Sequence, residues 1–322
     1  MPTKDNLRFF FLVPPEVQLL DITGPAHLFY EAKEYGAKIE TIYLGLDDAV
    51  EQESVAGISL GNLTPFHKHV LGPDDLLFLP GLDVQILFAE NITQTFRSFF
   101  EWLQEQHGNG AKICSVCTGA YLLGFAGLLN GKECTTHWKY IEHFQSQFPK
   151  AKVLSDRLII RDGTLYSSAG VSSGIDLSLF LIEELFGPVF ASKIAKEVVI
   201  YLRRTENDPQ LSVFLQYRNH IDTQIHQVQD TLAQNLSTKT TIEELAENVH
   251  MSPRNLTRLF KKTIGITIGE YVEKLRVERA VQLLSSGSKV SVTALECGLQ
   301  SPNQLRSLLK KHTTSLPSNW QH

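Results

Sequence analysis

Four short, nearly unbroken apolar runs limit what the first part of this chain can become. They cover residues 7–13, 39–44, 75–80 and 112–116, and each leaves room for a helix before the next. A half-exposed strand would alternate apolar and polar residues. Continuous apolar strands between helical stretches instead indicate a mostly parallel sheet covered on both faces. A helix pattern over residues 118–129 follows the fourth run directly. Asp162-Gly163 sits between two further strand-like segments, residues 157–160 and 164–168, and is a hairpin signal. Residues 174–186 form a long apolar helix that ends at Gly187-Pro188, and residues 189–204 read as one more helix.

The character changes after the polar break Thr205-Glu206-Asn207-Asp208-Pro209. Everything from Leu211 onward reads as helices and turns. Charge follows the same division. The chain carries a net charge of -5, yet from Ser237 onward there are 12 Lys+Arg against 7 Asp+Glu, and the remainder has 18 against 28. A basic end on an acidic body fits a nucleic-acid-binding domain joined to a small-molecule domain, and it also fits an uneven solvated surface. Four cysteines in 322 residues are too few for a disulfide framework. There is no signal-peptide pattern and no apolar run approaching the roughly 20 residues that span a bilayer, so the expected location is the cytoplasm, with no membrane partner.

The all-α part contains an internal repeat. Ile242-Glu243-Glu244-Leu245-Ala246 begins an amphipathic helix, Val249 to Ser252 turns, and Pro253 opens a second helix ending in Lys261-Lys262. Ser252 suits the N-cap and Pro253 the first helical position. Leu256, Leu259 and Phe260 fall on one face; Arg254, Thr257, Arg258, Lys261 and Lys262 lie away from it. The pattern recurs with Val292-Thr293-Ala294, the turn Cys297-Gly298-Leu299, and a helix that opens on Ser301-Pro302 and ends in Lys310-Lys311. A helical stretch over residues 270–284 separates the copies. Short helix, tight turn and second helix is helix-turn-helix geometry, and two units roughly 34 Å apart reach successive major grooves of DNA. A helical packing domain with a solvated basic face would give a similar pattern in a single copy.

Residues 252–261, Leu275-Arg276-Val277-Glu278-Arg279-Ala280 and Ala294-Leu295-Glu296-Cys297-Gly298 together resemble the AraC family of activators, over about Thr240 to Trp320. The resemblance implies Arg254, Thr257, Arg258 and Lys261 as DNA contacts of the first unit, and Asn303 and Arg306 as those of the second. The chain departs from the family's pattern at Leu299 and Leu309, usually Phe, and at Ser307, often Arg. Those departures point to a second unit that contacts DNA weakly or holds it mainly through phosphates.

The chemically loaded segment of the first part is Lys112 to Gly119, where a buried strand runs into a helix with Cys117 at the junction. Gly119 allows a tight turn, as in a nucleophile elbow. A thiol at a helix N-terminus is expected to have a lowered pKa. The plainer reading is a buried, inert cysteine. Cys114 and Cys117 form a C-x-x-C, but no second Cys pair or His cluster accompanies it, so neither a metal nor a cofactor is expected. Asp21 follows the first strand, at the sheet edge where open α/β folds bind ligands, and also suits a helix cap. His137, in Thr135-Thr136-His137-Trp138, reads either as a partner for the thiol or as a packed residue.

Leu20-Asp21-Ile22-Thr23-Gly24-Pro25, Leu79-Pro80-Gly81, Ser115-Val116-Cys117-Thr118-Gly119, Gly127 to Gly131 and Thr135 to Trp138 resemble a ThiJ/PfpI-like domain of the class I glutamine amidotransferase-like superfamily, from about Leu7 to Gly187. The resemblance implies a flavodoxin-like sheet sandwiched by helices. Cys117 then stands in the nucleophile position with Asp21 beside it, and Asp21, Gly81, Cys117, Thr118 and His137 line a ligand pocket. Isocyanide hydratases share the Asp and the Cys-Thr pair, which keeps a cysteine-dependent hydratase or amidase as the alternative. Regulators fusing such a domain to an AraC-type domain form a recognised group, with arginine, betaine and carnitine-like nitrogen compounds as ligands. The expectation is therefore a DNA-binding regulator that acts as a homodimer, with double-stranded DNA and a small nitrogen-containing effector as partners. Residues 1–204 sense the ligand, 205–235 form a helical linker and 236–322 bind DNA. A thiol sensor working through oxidation of Cys117 is a further reading.

Overall fold

The computed structural model describes residues 7–155, 157–200, 212–285 and 287–313. The chain divides into two compact units, Met1–Glu206 and Asn207–His322. The polar break at residues 205–209 lies outside the described residues, as do the last four residues of the helix expected over 189–204.

In the first unit, in chain order, β1 (Leu7–Val13), α1 (Leu19–Glu34) and β2 (Ile39–Gly45) are followed by the small hairpin β3 (Glu51–Glu53) and β4 (Ser59–Gly61), then β5 (Thr64–Pro65) and β6 (Leu76–Leu79). Helices α2 (Val84–Leu87), α3 (Ile92–Thr95) and α4 (Arg97–Gly108) lead to β7 (Lys112–Val116) and α5 (Ala120–Phe125). Then come β8 (Glu133–Cys134), α6 (Ile141–Gln147), β9 (Lys152–Val153), β10 (Ile159–Asp162), β11 (Leu165–Ser168), α7 (Ser173–Phe186) and α8 (Pro188–Glu197). Seven strands form one sheet in the order β10-β11-β7-β6-β1-β2-β5, parallel except for the β10–β11 hairpin. Asp162 pairs with Leu165 across that hairpin, and Gly163 takes the positive φ its turn requires.

The apolar runs are continuous because both sheet faces are buried. Phe9, Phe11 and Val13 of β1 point into a core shared with α1 and α7, while Phe10 and Leu12 point into a second core with α4, α5 and α6. Phe11 stacks on Phe78 of β6 at 4.7 Å between ring centroids. The chain passes from β1 to β2 on one side and then to β6 on the other, so the order reverses at β1 and opens a crevice at the carboxyl ends of β1, β6 and β7.

Two helices are shorter than their patterns. The segment expected as a helix over 118–129 is a 3₁₀ turn at Cys117–Gly119 followed by α5, which stops at Phe125. Gly127 takes φ +71°, and the amides of Gly127 and Leu128 bond back to Gly124 and Leu123, closing a Schellman cap. Helix α8 ends at Glu197 because Val199 adopts φ +54° and closes the same kind of cap onto Lys196 and Ala195.

The second unit contains α9 (Val213–Tyr217), α10 (Thr223–Gln234), α11 (Ile242–Asn248), α12 (Pro253–Ile264), α13 (Ile268–Ser285), α14 (Val290–Glu296) and α15 (Pro302–His312). It has two small cores. Ile225, Val228 and Leu232 of α10, in the stretch read as a linker, pack with Leu245, Leu256 and Phe260. Ala294, Cys297, Leu305 and Leu309 form the other. Helix α13 serves both, with Tyr271 and Leu275 in the first core and Ala280, Val281 and Leu284 in the second. Among the described residues no helix is long and apolar enough to cross a membrane.

Candidate functional site

The crevice at the reversal of strand order collects three residues from three connections. Asp21 comes from the first turn of α1, Gly81 from the loop after β6, and Cys117 from the turn after β7. Gly81 donates its amide to Asp21 Oδ2 at 2.8 Å. A Cβ on Gly81 would lie 2.7 Å from Thr118 Oγ1, 2.8 Å from Asp21 Oδ2 and 3.4 Å from Cys117 Cβ, so only glycine fits where the backbone crosses this corner. The sequence thus brings Asp21, Gly81, Cys117 and Thr118 to one point. Cys117 holds φ +57°, a left-handed conformation that costs a non-glycine residue energy and marks a positioned turn.

Burial governs the electrostatics. The Asp21 carboxyl is fully buried and its pKa is raised to about 7, an effect only partly offset by the Gly81 amide and by Cys117. Its other oxygen, Oδ1, is buried with no hydrogen-bond partner among the described residues. Cys117 differs from expectation. Burial pushes its thiol up, and the neighbouring Asp21 charge pushes the same way, outweighing the Thr118 contacts that favour thiolate. The expected helix N-terminus is a three-residue 3₁₀ turn. Cys114, inside β7, is fully buried in the core.

His137 lies along the same rim. Thr136 Oγ1 donates to the Cys117 carbonyl at 3.0 Å, and the His137 ring stands 3.4 Å from where a Gly170 Cβ would be. His137 Nδ1 accepts from the Lys139 amide and caps the turn that begins at Trp138. Burial, then Lys139, lowers its pKa. No hydrogen bond joins it to Cys117 among the described residues. Ser173, at the start of α7, carries no motif in the sequence: its hydroxyl is buried without a hydrogen-bond partner among the described residues, and its neighbour Gly174 abuts Val116 and Pro25. No sequence signal marks it, because its burial follows from how α7 packs on α1.

In the second unit, both helix-turn-helix frames are built with the same hydrogen bonds. Ser252 Oγ accepts from the Asn255 amide and Ser301 Oγ from the Gln304 amide, both at 3.3 Å. Each turn is a Schellman motif: Met251 and His250 amides bond to Ala246 and Glu247, and Leu299 and Gly298 amides bond to Ala294 and Leu295. Arg254, Thr257, Arg258 and Lys261 are exposed on α12, and Arg254 and Arg258 make no ion pair among the described residues. Asn303 and Arg306 are exposed on α15 and bonded to each other, with Arg306 Nη1 donating to Asn303 Oδ1 at 2.8 Å.

The DJ-1/PfpI family model matches residues 8–184, more than half of the chain. The chain belongs to the DJ-1/PfpI family. A helix-turn-helix domain model of the AraC type matches residues 245–322, so this DJ-1/PfpI chain carries a DNA-binding domain. The HTH-type transcriptional regulator CdhR of Pseudomonas aeruginosa is 28% identical over 96% of this chain and 90% of its own length. An isonitrile hydratase of Pseudomonas putida is 35% identical over 56% of this chain and 73% of its own length. Among solved structures, an AraC family transcriptional regulator from Pseudomonas putida superposes with a TM-score of 0.52 at 19% identity, over 59% of this chain and 98% of that one, a likeness of fold.

Proposed function

We propose that this DJ-1/PfpI chain is a transcription regulator whose α/β unit holds a small nitrogen-containing metabolite without turning it over. One observation carries the reading: two helix-turn-helix frames with the same caps and turns, the first presenting Arg254, Thr257, Arg258 and Lys261 to solvent. Arginines at the start of a second helix reach base edges, and the lysines beyond them reach phosphates. Likeness to CdhR along nearly the whole chain supports the same role.

The effector reading rests on Asp21. A buried carboxylate oxygen without a partner is an unmet acceptor, and an N–H donor of a ligand would satisfy it. Gly81, Cys117, Thr118 and His137 line the ligand's surroundings. The working form is a homodimer in the cytoplasm; four free thiols, all buried, suit a reducing compartment. Ligand binding shifts an equilibrium between arrangements of the DNA-binding units, which requires different affinities for the two states.

The test is anisotropy of labelled promoter fragments with the full chain across salt, followed by a thermal-shift screen of nitrogenous metabolites. Specific, salt-sensitive DNA binding unchanged by Cys117→Ala, and a metabolite shift lost in Asp21→Asn, are expected. Absence of salt-dependent binding to any fragment refutes the regulator. A hydratase reading draws on the Asp21–Cys117 pair and the isonitrile hydratase likeness. The raised thiol leaves little thiolate at neutral pH, which opposes it. Conversion of an isocyanide by the wild type, lost in Cys117→Ala, would establish it.

A further inference from the structure

The second unit has a groove of about 370 Å³ that the DNA-binding reading leaves unused. Leu232 of α10, Ile242 and Leu245 of α11, and Ile268 and Val272 of α13 give it an apolar floor. Lys239, Glu273 and Arg276 are its charged groups. The Glu273 carboxylate is already engaged, by Lys311 Nζ at 2.6 Å and His312 Nε2 at 2.8 Å. Arg276 Nε, by contrast, is buried and has no hydrogen-bond partner among the described residues. Folded proteins pair nearly all buried donors, and a half-buried guanidinium with its Nε–H shielded beside an apolar floor suits an anionic acceptor.

The groove also occupies a joint. Its wall includes Leu236, whose carbonyl oxygen lies 2.2 Å from where a Gly298 Cβ would be; Arg276 Nη2 lies 3.0 Å from the same point. Gly298 is the turn residue of the second helix-turn-helix unit, and Ile242 and Leu245 belong to the first helix of the other. Whatever fills the groove touches the first unit directly and reaches the second through Leu236 and Arg276, which lie against Gly298.

We propose that this groove binds an amphipathic monocarboxylate, with the carboxylate on Arg276 and the aliphatic tail on the apolar floor, and that occupancy changes DNA affinity. The chemistry is set by Arg276, which has no ion pair among the described residues, at the edge of an apolar trough, with Lys239 adding to the positive side and the one carboxylate in the lining already held by Lys311 and His312. The site is separate from Asp21 and Cys117 and stands whether or not a ligand binds there.

The probe is sodium octanoate, below its micelle-forming concentration, titrated calorimetrically into the full chain, with octanol and octylammonium as controls. Saturable one-site binding of octanoate is expected, with octanol and octylammonium each weaker by about tenfold or more. Arg276→Met should lose octanoate binding, and Arg276→Lys should keep part of it, which separates loss of charge from loss of folding. Asp21→Asn should bind octanoate as the wild type does; loss in that variant would place the anion in the α/β unit and overturn the proposal. Equal binding of octanol or octylammonium, unaltered binding by Arg276→Met, or no saturable binding would also overturn it. In the anisotropy assay, saturating octanoate should shift the Kd for DNA by a few fold, and an unchanged Kd would refute the coupling.

Discussion

In the first helix-turn-helix unit the left-handed turn residue is His250; in the second it is Gly298. The hydrogen bonds around them are the same, yet the two positions tolerate different things. His250 is exposed and carries its strain in the open. Gly298 faces the Leu236 carbonyl across 2.2 Å as measured from a would-be Cβ, so neither the space nor the backbone admits a side chain. The outward faces differ too. Arg254 and Arg258 project from the first unit without ion pairs among the described residues, whereas Arg306 is held by Asn303, and Lys311 by Glu273. The frame is thus copied more faithfully than the surface it presents, and the division of labour we propose is that the first unit reads bases while the second holds phosphates.

The largest expected effect breaks the frame of one unit only. Gly298→Ala should cost about 3 kcal/mol or more in urea unfolding of the full chain, from the collision with Leu236 plus the left-handed backbone. His250→Ala should cost well under that, and equal losses would remove the distinction. Next come the reading residues: Arg254→Ala or Arg258→Ala should each weaken specific DNA binding by about 1–3 kcal/mol and relax base preference at one position. Arg306→Ala should lower affinity similarly for all sequences, and a loss of base preference there would overturn the division of labour. His250→Gly is expected to stabilise by about 0.5–1 kcal/mol, read as a rise in melting temperature, because glycine takes the left-handed turn without strain. The smallest effect concerns pH. Lys311 and His312 hold the Glu273 carboxyl below its ordinary range, so its contribution is present above the unfolded-state value and fades as pH falls through the folded one. Glu273→Gln should therefore lower stability slightly at pH 7 and match the wild type at pH 3. Lys262, the matching residue of the first unit, has no ion pair among the described residues and should show no such dependence when changed to Gln.

Much of the fold was legible because it depends on patterns that burial imposes directly. Double-sided burial leaves continuous runs such as Leu7–Val13, the Asp162-Gly163 turn is local chemistry, and Ser-Pro caps announce α12 and α15. The early end of α5 was not legible, because the apolar pattern runs on past Gly127 while the backbone does not. Asp21, Gly81, Cys117 and Thr118 lie close together, and the motifs that carry them mark tight backbone crossings. The direction in which the Cys117 thiol shifts was not, since it depends on how much solvent the surrounding layers exclude. Ser173 and Arg276 stayed hidden for the same reason: an unmet hydrogen bond is a property of the assembled neighbourhood, with no trace in residue order.

One continuous helix, α13, contributes side chains to both small cores, and its 18 residues span about 27 Å. It acts as a fixed ruler between the two units. Each further base pair along the duplex turns the far groove by roughly a tenth of a revolution, and a rigid rod cannot follow that rotation. The phosphates held by the second unit should therefore lie at one fixed distance from the bases read by the first, whatever sequence lies between them.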